Sequence, residues 1–271
     1  MKKLTLTLAV AGLMCSTAMA GTVVVNDSFA DGGRNNGADA QDSNWWTTTN
    51  SAALEISKGS LGLVSSGSGR RLRTTFAPQA LSPGKSIKAT FTFTTPRTIG
   101  TNRDSSFRVG MYDKAGRAAL DSDQSASSKK PNANYNGLPG YMIDYDVNTA
   151  KSNINVRKHG GGKAPTGRLL GTTKGYKDLR GGCNPYKFAP GQTYTGTMTI
   201  MQAPNGVQVS GSLSQGGKVL SQFSTLDAGA KINRIGMLAF HVNSKTFGSS
   251  KKKNTPDNGI DFKNVKVEML P

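Results

Sequence analysis

Hydrophobic and polar residues alternate along most of this chain with a period of two, the pattern of half-buried β-strands. Clusters of Gly, Pro, Asn and Ser separate the alternating segments, and none of these segments carries the 3.6-residue stripe of an amphipathic helix. Strands without helices predict an all-β, antiparallel β-sandwich of the jelly-roll type. The predicted strands are Leu54–Val64, Arg70–Phe76, Ile87–Phe93, Phe107–Asp113, Tyr141–Val147, Ile154–His159, Tyr194–Met201, Val207–Leu213, Val219–Phe223, Ile232–Val242 and Ile260–Met269.

Two hairpin signals mark the second half of the chain. Asn205-Gly206 and Gly216-Gly217 each separate two predicted strands, and these residues adopt the positive φ angles that tight hairpins need. They predict an antiparallel meander. The sequence has no internal repeat and no linker, so we expect a single domain over residues 21–271.

Residues 1–20 have the pattern of a secretory signal peptide. Lys2 and Lys3 precede a short apolar run, and Ala18-Met19-Ala20 is a cleavage site before Gly21. We therefore expect a secreted protein, periplasmic or extracellular, without a transmembrane segment. Cleavage leaves Cys183 as the one cysteine, and its Gly-, Asn- and Pro-containing surroundings predict a loop thiol.

The chain is strongly basic, with a formal net charge of +18. Much of the excess falls in three long connections, 114–139, 160–192 and 243–259. Their charge either keeps the surface solvated or attracts a polyanion. The basic runs lack the interleaved aromatic residues of single-stranded nucleic-acid sites, and no recognition helix is present, so we expect no nucleic-acid partner. An acidic polysaccharide carrying uronate or sulfate groups suits an exported protein better, and an anionic cell surface is a further alternative.

Three segments resemble the concanavalin A-like lectin/glucanase superfamily of LamG-like jelly rolls. They are residues 26–32 (Asn-Asp-Ser-Phe-Ala-Asp-Gly), Trp45-Trp46 and residues 259–268 (Gly-Ile-Asp-Phe-Lys-Asn-Val-Lys-Val-Glu). The resemblance implies paired first and last strands and a saccharide cleft on one sheet. The superfamily includes glucanases, polysaccharide lyases, lectins and modules without activity. A non-catalytic carbohydrate-binding, surface-associated or structural envelope protein therefore stays open as an alternative, and we expect a monomer.

Glycoside hydrolysis is a less favoured activity than cleavage by a polysaccharide lyase. Retaining glycosidases need two carboxyl groups about 5 Å apart. The only glutamates are Glu55 and Glu268, near opposite ends of the chain. Asp144 and Asp146 share one strand face, but no further acid follows them at the spacing of the glucanase motif.

The segment Phe107–Asp113 resembles the Phe-Lys-Ala-Gly-x-Tyr-Asn strand of family 7 alginate lyases, with Arg108 in place of the lysine. β-Elimination on a uronate needs a base, a cation that neutralises the carboxylate and an acid for the leaving oxygen. Alternation places Arg108, Gly110 and Tyr112 opposite the core-facing residues. We predict that Tyr112 is the acid and that Arg108 neutralises the carboxylate.

The two histidines complete the predicted site. His241 and His159 both fall opposite the core-facing residues of their strands, where each is either a solvated side chain or part of a cleft. We predict His241 as the base, with His159 and Arg157 as the pair to test next. The predicted substrate contacts are Arg157, His159, Asn243, Lys163 and Trp45, although adjacent tryptophans on a strand face opposite ways, so that one of Trp45 and Trp46 belongs to the core.

No cofactor or catalytic metal is expected. Asp27 near the first strand and Asp261 on the last would come close if these strands pair, and two carboxylates with backbone carbonyls suit a structural calcium ion. The sequence has no dense Asp motif to support such a site.

Overall fold

The computed structural model describes residues 21–35, 37, 41–47, 54–64, 69–100, 107–124, 132–147, 154–159, 169–171, 175–179, 186–244, 246–247 and 259–271. This part of the chain contains β-strands, two short 3-10 helices (Ala118–Leu120 and Ala133–Tyr135) and no α-helix, which confirms the all-β prediction. The strands are β1 (Thr22–Asp27), β2 (Trp45–Thr47), β3 (Leu54–Ser57), β4 (Ser60–Leu63), β5 (Arg70–Ala80), β6 (Ser86–Thr94), β7 (Phe107–Tyr112), β8 (Gly140–Tyr145), β9 (Ile154–His159), β10 (Tyr176–Asp178), β11 (Thr193–Ala203), β12 (Gly206–Gln215), β13 (Lys218–Ala228), β14 (Arg234–Val242) and β15 (Ile260–Leu270).

The strands form two antiparallel sheets that pack face to face as a sandwich. One sheet has the order β13-β12-β11-β6-β15-β4-β3, and β1 also pairs with β15. The other, which we call the seven-stranded sheet, has the order β10-β9-β8-β7-β14-β5-β2. Pairing of β1 with β15 joins the first and last strands, as the superfamily resemblance implies, and β11, β12 and β13 form the predicted meander.

Period-two alternation explains the core between the sheets. In β6, Ala89, Phe91 and Phe93 point inward and are fully buried, while the intervening threonines are partly exposed. Phe91 packs edge-on against Phe107 and Phe240, which reach it from the opposite sheet. Such aromatic contacts add to the stabilisation from burying apolar area.

Some predicted boundaries need correction. The segment Leu54–Val64 is not one strand but a hairpin, because Lys58 and Gly59 form a turn in which Gly59 has a φ of 73°. β2 and β10 are only three residues each, too short for alternation to reveal them.

The outer face of the seven-stranded sheet carries a second apolar cluster. Strands β7 and β8 are buried at every position, so both of their faces are covered. Parts of the predicted long connections supply the cover, since Leu120, Tyr135, Leu138, Leu169 and Leu170 pack there as fully buried residues. The covered face is the one on which the predicted catalytic residues lie.

Within the described ranges, no helix is long and apolar enough to cross a membrane.

Candidate active site

A row of polar side chains crosses the outer face of the seven-stranded sheet. Each member pairs in register with the next on the neighbouring strand. This polar row consists of Arg71 (β5), His241 (β14), Arg108 (β7), Asp144 (β8) and Asn155 (β9). Cross-strand neighbours on one face lie about 5 Å apart. The row therefore places one guanidinium group on each side of the imidazole.

Arg108 and His241 are hydrogen-bonded. Arg108 Nη1 donates to His241 Nδ1 over 3.1 Å. A guanidinium can only donate, so Nδ1 accepts and the proton of the neutral ring lies on Nε2. Burial, then the charges of Arg108 and Arg71, hold the pKa of His241 well below its ordinary value. His241 is thus neutral near pH 7 and presents an N–H donor at Nε2.

Gly69 lies next to the Nε2 donor of His241. A Cβ built on Gly69 would lie 2.6 Å from His241 Nε2, closer than two such atoms can approach. Any larger residue at position 69 would therefore press on the imidazole. The absence of a side chain lets the Gly69 backbone pack closely against the Nε2 side of His241.

Asp144 anchors two polar side chains of β9. Its carboxylate is fully buried, accepts from Arg157 Nε at 2.7 Å and from Asn155 Nδ2 at 3.2 Å, and its charge favours the protonated form of Arg108. Burial nevertheless lowers the pKa of Arg108 to about 10, which leaves it charged at neutral pH. Because Asp144 is engaged in this way, it is unsuited to the role of a glycosidase acid.

Tyr112 lies on the same face as Arg108, four residues further along β7, and its side chain leans back over Gly110. A Cβ on Gly110 would collide with the Tyr112 hydroxyl and with the Leu170 side chain. Tyr112 is fully buried, and desolvation raises its pKa well above the ordinary value. Tyr112 is therefore a protonated phenol, and its hydroxyl lies 3.4 Å from that of Tyr176.

His159 is the last residue of β9 and lies outside the polar row. Its ring stacks on Tyr176 with centroids 4.5 Å apart, and Nδ1 lies 2.7 Å from the carbonyl oxygen of Leu138. Tyr112 meets the same ring edge-on, with centroids 5.7 Å apart. Burial lowers the pKa of His159. These contacts make His159 a packed, neutral side chain.

The structure therefore brings five of the predicted site residues onto the outer face of one sheet, but not into one cluster: His241, Arg108, Tyr112, Arg157 and His159. His241, Arg108 and Tyr112 lie on adjacent strands β14 and β7. Arg157 lies two strands from Arg108 and is connected to it through Asp144, whereas His159 contacts Tyr112 rather than the polar row.

The remaining predicted substrate contacts are Asn243, Lys163 and Trp45. Asn243 follows β14 directly and is partly exposed, two residues beyond His241. Lys163 lies outside the described residues, as does Cys183. The prediction that Trp45 contacts the substrate is wrong. Trp45 is fully buried in the sandwich core and donates from Nε1 to Asp27 over 2.6 Å. Trp46 is therefore the member of the pair on the outer face, where it pairs with Arg73.

Asp27 and Asp261 do not share a site. Asp27 points into the core, where it accepts from Trp45 Nε1 and from the backbone N–H of Phe29. Asp261 lies instead beside Gly62 and Glu55 on the outer face of the other sheet. In the described ranges no three His, Cys, Asp or Glu side chains come together as a possible metal site.

Sequence reasoning missed Arg71, Arg73 and Tyr176. Arg71 and Arg73 alternate with Leu72 in a predicted strand, so the same face argument that selected Arg108 could have found them. Arg73 is fully buried and donates to the carbonyl oxygens of Leu120 and Ser122 and to the Tyr135 hydroxyl. It fastens a covering segment to the sheet. Tyr176 comes from the three-residue strand β10, which has no signal of its own.

A shallow groove of about 590 Å³ lies on the other sheet, across β11, β12 and β13. Its lining contains no charged side chain. The residues around it are Thr197, Thr199, Ser210, Gly211, Ser212, Gln222, Phe223 and Ser224. It is suited to neutral partners and has none of the cations of the polar row.

Comparison with known proteins shows the fold. The lectin UEA-II in complex with galactose aligns with a TM-score of 0.50 at 9% identity, over 94% of this chain and all of that one. An alginate lyase, Aly36B, in a mutant complex with an alginate trisaccharide, gives 0.48 at 12% identity over 93% and 100% of the two chains. The exoplasmic/lumenal domain of VIP36 gives 0.48 at 10% over 87% and 85%. No protein-family model and no curated protein matches the sequence.

The chain thus has the jelly-roll sandwich fold that the sequence resemblance implied, the fold that the aligned lectin also has. Similarity at this level of identity establishes the architecture and leaves the activity to be argued from the site.

Proposed function

We propose that this protein binds an acidic polysaccharide on the outer face of its seven-stranded sheet. The observation that carries the proposal is the placement of His241 between Arg71 and Arg108 on three adjacent strands. Guanidinium groups fit carboxylate and sulfate oxygens through paired N–H donors. The neutral imidazole adds a third donor without adding a charge that would repel the arginines.

The electrostatic setting supports an anionic ligand. The net charge of +18 attracts polyanions to the whole molecule, and the polar row supplies directed donors at one place. A row that runs across strands also suits an extended chain, because successive sugar units could contact successive strands. The fold is one that the compared lectins and an alginate lyase also have.

Cleavage by β-elimination is the second candidate function, and the position of the Tyr112 hydroxyl over Gly110 favours it. In this reaction Arg108 would neutralise the uronate carboxylate, and His241 would remove the proton from the adjacent carbon. The released electron pair forms a C=C bond as the glycosidic C–O bond breaks, and Tyr112 protonates the departing oxygen. His241 accepts that proton at Nδ1, and the Nδ1 lone pair becomes available once Arg108 turns towards the substrate.

Export belongs to the same proposal. The signal-peptide pattern of residues 1–20 supports export. An exported protein would meet acidic polysaccharides outside the cytoplasm. Expression of the full chain followed by N-terminal sequencing of the released protein tests this. The expected mature protein starts at Gly21, and a retained Met1 would contradict export.

The decisive experiment combines binding and product measurements on one panel. Alginate, pectate, glucuronan, a sulfated glycan and a neutral glucan are offered to the protein, with ultraviolet absorbance reporting unsaturated product ends. Binding with product supports the lyase, and binding without product supports the carbohydrate-binding protein. Binding to the neutral glucan alone, or to none of them, would contradict the proposal.

A further inference from the structure

The segment Leu169–Gly171 lies directly on the polar row, and we call it the plug. Arg71 Nε donates to the carbonyl oxygen of Leu169 over 2.6 Å, and Arg108 Nη1 donates to that of Leu170 over 2.8 Å. Two consecutive carbonyl oxygens therefore take hydrogen bonds from the two guanidinium groups that flank His241. An acidic ligand would need these same donors.

The side chain of Leu170 fills the adjoining space. Leu170 is fully buried, and a Cβ on Gly110 would lie only 2.8 Å from one of its methyl groups. The space above Gly110 lies between the Tyr112 hydroxyl and the Arg108–His241 pair. A sugar ring held by those three residues would occupy the volume that Leu170 now occupies.

The plug is held by hydrogen bonds and apolar packing, at some conformational cost. The backbone N–H of Leu170 donates to the Tyr176 hydroxyl over 2.6 Å. Leu170 has a φ of 55°, in the left-handed region of backbone conformation that residues other than Gly, Asn and Asp rarely adopt. Such a conformation persists only where surrounding contacts enforce it. Here the enforcing contacts are the hydrogen bonds of Arg71, Arg108 and Tyr176 and the packing of the leucine side chain.

We propose that the plug is an autoinhibitory ligand mimic, which occupies the anion donors of the polar row and leaves when an acidic saccharide binds. This inference rests on the proposed function and adds its regulation. The apparent affinity of a site that is open for only a fraction of the time falls in proportion to that fraction. Weakening the plug should therefore raise affinity without adding any contact to the ligand.

A chemical probe can report opening without any saccharide. Ala239 pairs with Gly110 on the sheet, is fully buried and belongs to the apolar cluster that contains Leu170. In the full chain carrying Cys15→Ser and Cys183→Ser, Ala239→Cys introduces a single thiol, and that thiol lies in this cluster. The rate at which a thiol reagent labels position 239 measures how often the cover opens.

Tyr176→Phe in that background removes the hydroxyl that holds Leu170 and keeps the aromatic ring against His159. The same hydroxyl also accepts from the backbone of Gly171 and lies 3.4 Å from the Tyr112 hydroxyl. We expect at least about fivefold faster labelling, because the loss of one hydrogen bond alone has an effect of that size. Leu170→Ala is the second variant, and its lost packing should give a larger increase. Tyr186→Phe is the matched control, because its hydroxyl contacts Tyr194 at 2.9 Å, in a different cluster. Circular dichroism establishes that each variant is folded.

The affinity for a uronate oligosaccharide, measured in the same variants without the probe cysteine, separates the two proposals. Faster labelling together with tighter binding in Tyr176→Phe supports both. Faster labelling with no binding by any variant supports a removable cover but contradicts the proposed function. Unchanged labelling in folded Tyr176→Phe and Leu170→Ala overturns the plug, and wild-type binding in that case leaves the proposed function standing.

Discussion

Arg108 donates from Nη1 both to His241 Nδ1 and to the carbonyl oxygen of Leu170, at 3.1 and 2.8 Å. One guanidinium nitrogen thus links the imidazole of one strand to the segment that covers it. In the closed arrangement this bond fixes the imidazole as a donor at Nε2. The same residue would be the first to respond to a carboxylate, and its reorientation would free the lone pair of His241 Nδ1.

Binding of an acidic polymer should weaken steeply with salt. Arg71 and Arg108 would form charge-assisted contacts, and the basic surface adds long-range attraction, which salt screens over about 8 Å at physiological ionic strength. Titration of the preferred acidic polysaccharide at increasing NaCl concentration measures the effect. An affinity that does not change with salt would indicate a neutral site, for which the groove lined by Thr197 and Ser212 is the alternative.

His241→Gln separates binding from proton transfer. Glutamine keeps an N–H donor of similar reach but cannot accept a proton as a base. If the protein is a lyase, turnover should fall by about 10²- to 10⁴-fold, the contribution of a positioned general base, while binding changes little. Initial rates and equilibrium binding on the same polymer provide the comparison. Unchanged turnover would exclude His241 as the base and make His159 with Arg157 the next pair to test.

Asp27 should make stability depend on pH. Burial, and next to it the neighbouring Asp42 carboxylate, raise the pKa of Asp27 to about 7, while the hydrogen bond from Trp45 opposes this. The folded chain then holds the proton more tightly than the unfolded one. Stability should therefore fall as pH rises from about 4 to about 7.

Asp27→Asn tests this prediction. The amide keeps an oxygen to accept from Trp45 Nε1 and does not titrate. Between pH 5 and pH 7 the wild type should lose up to about 2–3 kcal/mol relative to the variant, from 1.36 kcal/mol per pH unit. Chemical denaturation at both pH values gives the difference. A difference between the two proteins that is constant across this range would contradict the raised pKa.

The adjacent tryptophans should have separate effects. Trp45→Ala empties a core position and should destabilise the protein by about 3–5 kcal/mol. Trp46→Ala, on the partly exposed outer face, should cost much less. Thermal unfolding of the two variants gives the comparison. Equal losses would contradict the assignment of Trp45 to the core and Trp46 to the outer face.

Period-two alternation predicted most strands and also the faces of Arg108, Tyr112 and His241, because it depends only on local backbone geometry. It does not specify which strands are neighbours, so the pairing of His241 with both Arg71 and Arg108 could not be read from the sequence. The segments that cover the polar row could not be predicted from the sequence either. Leu169 and Leu170 belong to an irregular segment and Tyr176 to a three-residue strand, and the contacts of all three depend on the completed sheet. For Trp45 and Trp46 the alternation required opposite faces but gave no reason to choose between them.

The central claim is that the donors around His241 bind an acidic saccharide, and Arg108→Gln tests it most directly by titration calorimetry with the preferred uronate oligosaccharide. Glutamine keeps a polar side chain but removes the charge and the paired donors. The matched control is Arg234→Gln on the same strand as His241, where the arginine is exposed and pairs with Asp113 at 2.9 Å. We predict at least a tenfold loss of affinity for Arg108→Gln and a change below twofold for Arg234→Gln. Equal affinities for the wild type and a folded Arg108→Gln would contradict the account.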